Sequence, residues 1–247
     1  MLPTGSNDQA EKGNILLFET KTLNSTSFFQ EDQIADTVHN GLSLKKKCLP
    51  SWLIFDSAGS EIFKKITELP EYLPAVCEFE IIRNLKNDIA KLISGNTFNL
   101  IELGSGDGCK TRILIDQLLN KNLDFHYYPI DISNGAVTNL VKSLEVDQKA
   151  TNLKVSGIIG DYFEGLNTIL KESPKQNLVL FLGVTLNNMD PDQARTFLNS
   201  LHKTLRPEDY LLIGFDLMKN PKLLYSAYNN KLFEQFNLHL LDRINQV

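Results

Sequence analysis

The chain has 247 residues, enough for one large or two small domains, and its 42% hydrophobic and 22% charged residues suit a globular protein with a sizeable core. A formal net charge of −5 excludes a general binder of the nucleic-acid backbone, which needs a basic face. No apolar run approaches the ~20 residues of a membrane-spanning helix. The three cysteines, Cys48, Cys77 and Cys109, are odd in number and not at metal-ligand spacing, so they predict reduced thiols in a cytoplasmic protein and no metal site.

Residues 1–30 are polar and weakly patterned, and Met1 to Gly13 lacks the charged-then-apolar pattern of a secretory leader. They predict a partly ordered tail in which Ile15 to Phe18 is a short strand or a docking anchor. Residues 31–94 predict a helical segment. One helix spans Glu31 to His39 and ends at Gly41. Another, capped by Ser57 or Ser60, carries Ile62, Phe63 and Ile66. Leu69 to Pro74, LPEYLP, is a rigid turn holding Tyr72. Glu78 to Ile93 has Ile81, Ile82, Leu85, Ile89, Leu92 and Ile93 at helical spacing, a stripe that predicts core packing.

Residues 95–216 alternate between strand and helix patterns. Strands are predicted at Asn99–Leu103, Phe125–Ile130, Leu153–Ile159, Asn177–Leu182 and Tyr210–Phe215. Helices follow Gly108, begin at Asn134, span Leu166–Leu170, and start at Pro191. Such alternation predicts an α/β fold with a parallel sheet covered on both faces. Residues 217–247 carry a helical pattern from Pro221 almost to the end, and no internal repeat is present.

The first strand runs into Gly104-Ser105-Gly106-Asp107-Gly108, and Lys110 and Thr111 open the next helix. Strand, glycine turn and helix form the front of a nucleotide-binding unit, whose turn tolerates φ > 0 and whose helix start turns free N–H groups toward a ligand. Polar residues stand at the other strand ends as well: Asp131, Asp161, Asn187, Asn188 and Asp216. That is where open α/β sheets bind ligands. A dinucleotide site prefers G-x-G-x-x-G, whereas this turn is G-x-G-x-G with an acid inside it. S-adenosyl-L-methionine has no phosphate and carries two cationic groups, so it suits an acidic turn better. Asp131 would accept both ribose hydroxyls, or else cap the following helix. Asp161 would take the adenine amino group, or else cap its own helix.

From about Gln33 onward the chain resembles the histidine-specific, S-adenosylmethionine-dependent methyltransferases that make trimethylhistidine for ergothioneine synthesis. Fungal N-methyltransferases of prenylated tryptophan share that family. The resemblance rests on GLSLKKKCLPSWLIFDSAGSEIFKKITELPEYLP, LIELGSGDGCKTRILI, YYPIDIS, FLGVTLNN and LLIGFDLMKNPKLLYSAYNN followed by FNLHLLDRIN. It implies a Rossmann-like class I methyltransferase sheet with a helical N-terminal substrate-domain segment. It also implies methyl transfer from S-adenosyl-L-methionine to the α-amine of histidine or a related amino acid.

By the resemblance, Gly104, Gly106, Lys110, Asp131 and Asp161 contact the cofactor, Lys110 through its methionine carboxylate, and Gly183 lets cofactor or substrate approach the backbone. Tyr72 lines the amino-acid pocket, Asn188 holds the substrate amine and Tyr228 its carboxylate. Competing readings are a solvated lysine for Lys110, a helix cap for Asn188, and ordinary packing for Tyr72 and Tyr228. None of the four histidines is assigned to catalysis.

Three departures from the family pattern stand out. Phe55 replaces a tyrosine. Val184 and Asn187 replace a serine and a glycine of the fourth-strand block. The pattern of family members also continues past the FN-x-x-x-L block with strands that complete the sheet and the substrate domain, so residues 217–247 read as the helical part of an incomplete domain. These departures support a second expectation, a non-catalytic relative that binds cofactor or a protein partner. They also imply weak cofactor binding, or a partner or oligomer covering the open sheet edge. An NAD-linked oxidoreductase is the reading the glycine spacing disfavours.

Overall fold

The computed structural model describes residues 17–23, 31–93, 95, 97–147 and 153–246. Its centre is a sheet of six parallel strands in the order β1-β4-β3-β2-β5-β6. These are β1 (Phe18–Thr22), β2 (Phe98–Leu103), β3 (Phe125–Asp131), β4 (Lys154–Ile159), β5 (Gln176–Phe181) and β6 (Tyr210–Ile213). Helices α1 (Glu31–Ser43), α2 (Ser57–Thr67) and α3 (Leu73–Leu92) precede the core of the sheet. Helices α4 (Cys109–Asn120), α5 (Asn134–Glu145), α6 (Tyr162–Glu172) and α7 (Pro191–Thr204) alternate with its strands, and α8 (Pro221–Tyr228) and α9 (Lys231–Ile244) end the chain.

The five predicted strands are all present. A sixth, β1, lies next to the predicted Ile15–Phe18 strand, of which residues 15 and 16 fall outside the described residues. It pairs in parallel with β4 from Phe18↔Val155 to Thr22↔Ile159. Every residue of β2 is buried, because it is central and covered on both faces. One face packs Leu100 with Ile82, Ile89, Leu114 and Leu118, and the other packs Ile101 and Leu103 with Leu166, Phe197 and Leu201.

Several local expectations are corrected. Helix α1 runs through Gly41 rather than ending there. A Cβ at that position would lie 2.2 Å from the Cys48 carbonyl oxygen, so the glycine admits the returning chain and is not a terminator. The cap of α2 is Asp56, which accepts from the Gly59 N–H at 2.8 Å, rather than Ser57 or Ser60. Helix α3 starts at Leu73, inside the predicted turn, because Pro74 suits a first helical turn. The apolar stripe of α3 is not all core. Ile82, Ile89 and Ile93 are buried, but Ile81, Leu85 and Leu92 are 55%, 45% and 62% exposed. The final helical pattern breaks at Asn229–Asn230, where Asn230 caps α9 by accepting from Leu232 and Phe233 N–H groups.

Helix α9 returns to α2. His239 is buried and its Nε2 lies 2.7 Å from Asp56 Oδ1, so the capping carboxylate also anchors the last helix. Beside this contact Phe55, Phe63, Tyr72, Phe233 and Phe236 form a third cluster, with rings meeting mostly edge to face.

One acid sits inside the core. Glu102 of β2 is 3% exposed and accepts from the Thr111 hydroxyl and the Tyr127 phenol, both at 2.5 Å. Burial raises its pKa to about 7, against the opposing effect of those two donors. Between the ordinary carboxylate value and about 7 the folded chain keeps a proton that the unfolded chain has lost. Stability therefore falls as pH rises through this window and levels off above it. Glu102→Gln removes that dependence. Unfolding midpoints in urea should show the wild type losing about 3 kcal/mol relative to the variant between pH 4.5 and 8. Parallel pH curves for the two proteins would show that Glu102 ionises normally.

Candidate active site

The strand order reverses direction between β2 and β5, and the crevice at their carboxyl ends is where such sheets take ligands. The turn after β2 lies on one side of it. Gly104, Gly106 and Gly108 have φ of +79°, +51° and +68°, a backbone region that other residues enter only with strain. The turn curls toward β3. Gly104 and Ser105 N–H groups donate to the Ile130 carbonyl at 2.8 and 3.2 Å. The Gly106 N–H donates to Asp131 Oδ2 at 2.9 Å, that of Gly108 to the Ser105 carbonyl, and that of Cys109 to Asp107 Oδ1.

Of the helix-start amides expected to face a ligand, that of Cys109 is taken by Asp107. The amides of Gly104, Ser105, Gly106, Gly108 and Cys109 are all used within the protein. A pyrophosphate would need such donors, whereas a phosphate-free ligand does not. The donor set fits S-adenosylmethionine in other respects. Space beside Gly106 is open, since a Cβ there would meet nothing within 4 Å. Ser105 Oγ, also in this turn, is buried with no hydrogen-bond partner among the described residues.

Asp131 ends β3 and is half-buried. Its Oδ1 accepts from the Ser133 N–H at 2.9 Å and its Oδ2 from Gly106, leaving acceptor capacity on both oxygens. The cap of α5 is Ser133, so Asp131 is not the helix cap. Burial raises its pKa, against three backbone N–H donors. Asp161 does cap its helix: Oδ1 accepts from Phe163 and Glu164 N–H groups at 2.8 and 3.2 Å. The neighbouring Gly160 N–H donates to the Asp131 carbonyl, which ties the ends of β3 and β4 together.

Lys110, in the first turn of α4, is not a solvated lysine. Its Nζ lies 2.5 Å from Glu78 Oε2, and the side chains are only 18% and 10% exposed. The Glu78 carboxylate also accepts from the Gly183 N–H, at 3.0 and 2.9 Å to its two oxygens. Gly183 therefore spends its amide on Glu78, and its φ of +79° explains why it is glycine. Gly214 makes room for the same carboxylate, since a Cβ there would lie 1.8 Å from Glu78 Oε1. Sequence reasoning missed Glu78. The available signal was an acid in register with the buried Ala75 and Ile82 on the core face of α3.

The two predicted tyrosines come together from opposite ends of the chain. The Tyr72 and Tyr228 rings are 5.8 Å apart at 86°. Tyr72 is buried, and burial, Tyr228 and Glu78 all push its phenol above the ordinary range. It stays protonated near neutrality and can act as a donor. Asn188 lies in a short 3-10 turn, Thr185–Asn188, with its side chain exposed. It does not cap α7; Asp190 does, within a capping box closed by Gln193. Asn187 turns aside, its Oδ1 taking the Asp216 N–H at 3.4 Å.

Other candidates are occupied elsewhere. The Cys109 thiol is pushed up to about 11 by burial and Asp107, which keeps it protonated. His126 bonds Ser156 and Tyr128, and burial lowers its pKa to about 4. Phe55 packs its ring against Phe63 and Phe236.

Residues 34–247 match the family described as histidine-specific, SAM-dependent methyltransferases. Histidine N-alpha-methyltransferase of Mycobacterium tuberculosis is 34% identical over 211 residues, covering 85% of this chain and 64% of that protein. Ergothioneine biosynthesis protein 1 of Schizosaccharomyces pombe is 32% identical over 212 residues, covering 83% of this chain and 27% of that protein. The 4-dimethylallyltryptophan N-methyltransferase easF of Claviceps purpurea is 26% identical over 220 residues, covering 85% and 63%. The chain thus spans less than two thirds of the length of each of these relatives. With a family match across nearly all of its described length, the chain belongs to the histidine-specific, SAM-dependent methyltransferase family.

Proposed function

We propose that this chain is an N-methyltransferase that uses S-adenosyl-L-methionine to methylate the α-amine of histidine or a related amino acid. The observation that carries the reading is the turn after β2. The amides of Gly104, Ser105, Gly106 and Gly108 are satisfied internally, while Asp131 and Lys110 present charge at its rim. When bound, the cofactor supplies an electrophilic methyl group on a sulfonium.

The chain's own part is orientation. Gly104 and Gly106 keep the crevice open, Asp131 takes ribose hydroxyls, and Asp161 stands at the next strand end for the adenine. Lys110 meets the methionine carboxylate. Tyr72 and Tyr228 border the amino-acid end as an edge-to-face pair, with Tyr72 a protonated donor. Asn188 offers an amide to the substrate amine from an exposed turn. Displacement by a neutral amine needs alignment more than a strong base. Half-buried His126 and buried His239 agree with that, since each is held by structural partners.

A second reading, a non-catalytic relative, is favoured by Phe55, whose ring is locked in the aromatic cluster with no hydroxyl to offer. Labelled S-adenosylmethionine with a panel of amino acids separates the two. Transfer to histidine is expected, with Asn188→Ala lowering the rate about 100-fold and Tyr72→Phe about tenfold, while nucleoside binding is retained. Cofactor binding without turnover on any amino acid would select the second reading.

The reading includes a cytoplasmic setting, supported by three free, exposed cysteines. Among the described residues no helix is long and apolar enough to cross a membrane. It also includes a covered edge. Among the described residues strand β6 pairs only with β5, and Phe215, Leu217 and Met218 beyond it are exposed, a combination that invites another polypeptide. Sedimentation is expected to show an assembly larger than one chain. A monodisperse monomer that binds the cofactor tightly would rule out the need for a partner.

A further inference from the structure

The Glu78–Lys110 pair lies at the crevice between β2 and β5, and three separate segments converge on it: α3, the first turn of α4 and the loop after β5. A nearly buried ion pair is a poor source of stability, because desolvating two charges offsets most of their attraction. A brace for the Gly183 N–H alone would need only a neutral acceptor. Here the chain places a full positive and a full negative charge side by side at the mouth of a ligand crevice, and omits two Cβ atoms, at Gly183 and Gly214, around them.

An α-amino-acid zwitterion carries the same two charges on one carbon. Set against Glu78 and Lys110 it lets each charge exchange one opposite partner for another, so little new desolvation is incurred. We propose that Glu78 and Lys110 together receive the zwitterionic amino-acid end of the cofactor, Lys110 taking its carboxylate and Glu78 its α-ammonium. The inference rests on the cofactor reading above and adds Glu78 to it. The pair suits the cofactor and not the methyl acceptor for a chemical reason. A neighbouring carboxylate holds a proton on an amine. The cofactor's ammonium can keep that proton throughout, whereas the acceptor's amine must lose it to attack.

The test compares two nucleosides by calorimetry on the full chain. S-adenosylhomocysteine carries the zwitterion, and 5′-methylthioadenosine lacks it. Glu78→Gln and Lys110→Met are each expected to weaken S-adenosylhomocysteine at least about tenfold and 5′-methylthioadenosine less than twofold. The double variant should be little worse than either single one, because the two act as a unit. Glu78→Asp should recover part of the loss. If Glu78→Gln does not fold, Lys110→Met and Glu78→Asp carry the same comparison.

Equal losses for both nucleosides would reduce Glu78 to a structural brace. Unchanged S-adenosylhomocysteine binding in Glu78→Gln would overturn the proposal. Loss confined to histidine binding would also overturn it, by assigning the pair to the acceptor. Failure of the wild type to bind either nucleoside would instead overturn the cofactor reading on which the proposal stands.

Discussion

The turn leaving β2 directs its amides to β3, and the site depends on that constraint. Ile130 and Asp131 accept from Gly104, Ser105 and Gly106, and the Asp131 carbonyl also takes the Gly160 N–H. One dipeptide therefore fixes the ends of three adjacent strands. The positive φ values that this requires are sustainable because glycines occupy the positions. A turn satisfied in this way has little left to offer an anion, so recognition passes to side chains. Glu102, two residues before the turn in β2, fixes the other side by taking hydroxyls from α4 and β3. The loop is thus held from behind and from beside, with open space only beside Gly106.

A second dependence joins the helical segment to the sheet. Residues 31–94 supply none of the described sheet strands, yet they supply Tyr72 and Glu78. Asp56 is the hinge pin of that arrangement. It caps α2 through Gly59 and meets His239 of α9, 183 residues later in the chain. With α2 and α9 pinned together, Phe63, Phe233 and Phe236 close into one cluster and bring Tyr72 against Tyr228. Segments far apart in the chain thereby meet, and α3, which starts beside Tyr72, carries Glu78 to Lys110 and Gly183.

The sheet was legible because β-branched and leucine-rich runs alternated with helical spacing, and each strand ended near an acid or amide. The glycine turn and Asp131 followed from local motif, and Tyr72 and Tyr228 were singled out separately by resemblance, whereas their contact with each other was not legible. What escaped was long-range. The helical register marks Glu78 as an acid on a core face but not what it meets there, since its partners are 32 and 105 residues away. The stripe of α3 misled for the same reason. Periodicity marks an apolar face but not what covers it, and Ile81, Leu85 and Leu92 face outward. The cap of α2 was misplaced because serine and aspartate are both good caps, and only the contact with His239 singles out Asp56.

The loop after β5 shows how position can override residue type. Val184 adopts φ 54° and ψ 23°, a left-handed conformation that costs a β-branched residue about 1–3 kcal/mol. Both sides of it are tethered. The preceding Gly183 amide is held by Glu78. The following Asn187 donates its N–H to the Val184 carbonyl at 3.0 Å and accepts from Asp216 through its side chain. Serine, the family residue at this position, has a Cβ as well and would meet the same requirement with less crowding. The departure at Val184 therefore adds strain, and Asn187 serves the tether as an accepting side chain. Asn188, in the same turn, keeps its side chain exposed, in keeping with the proposal that it meets the substrate amine.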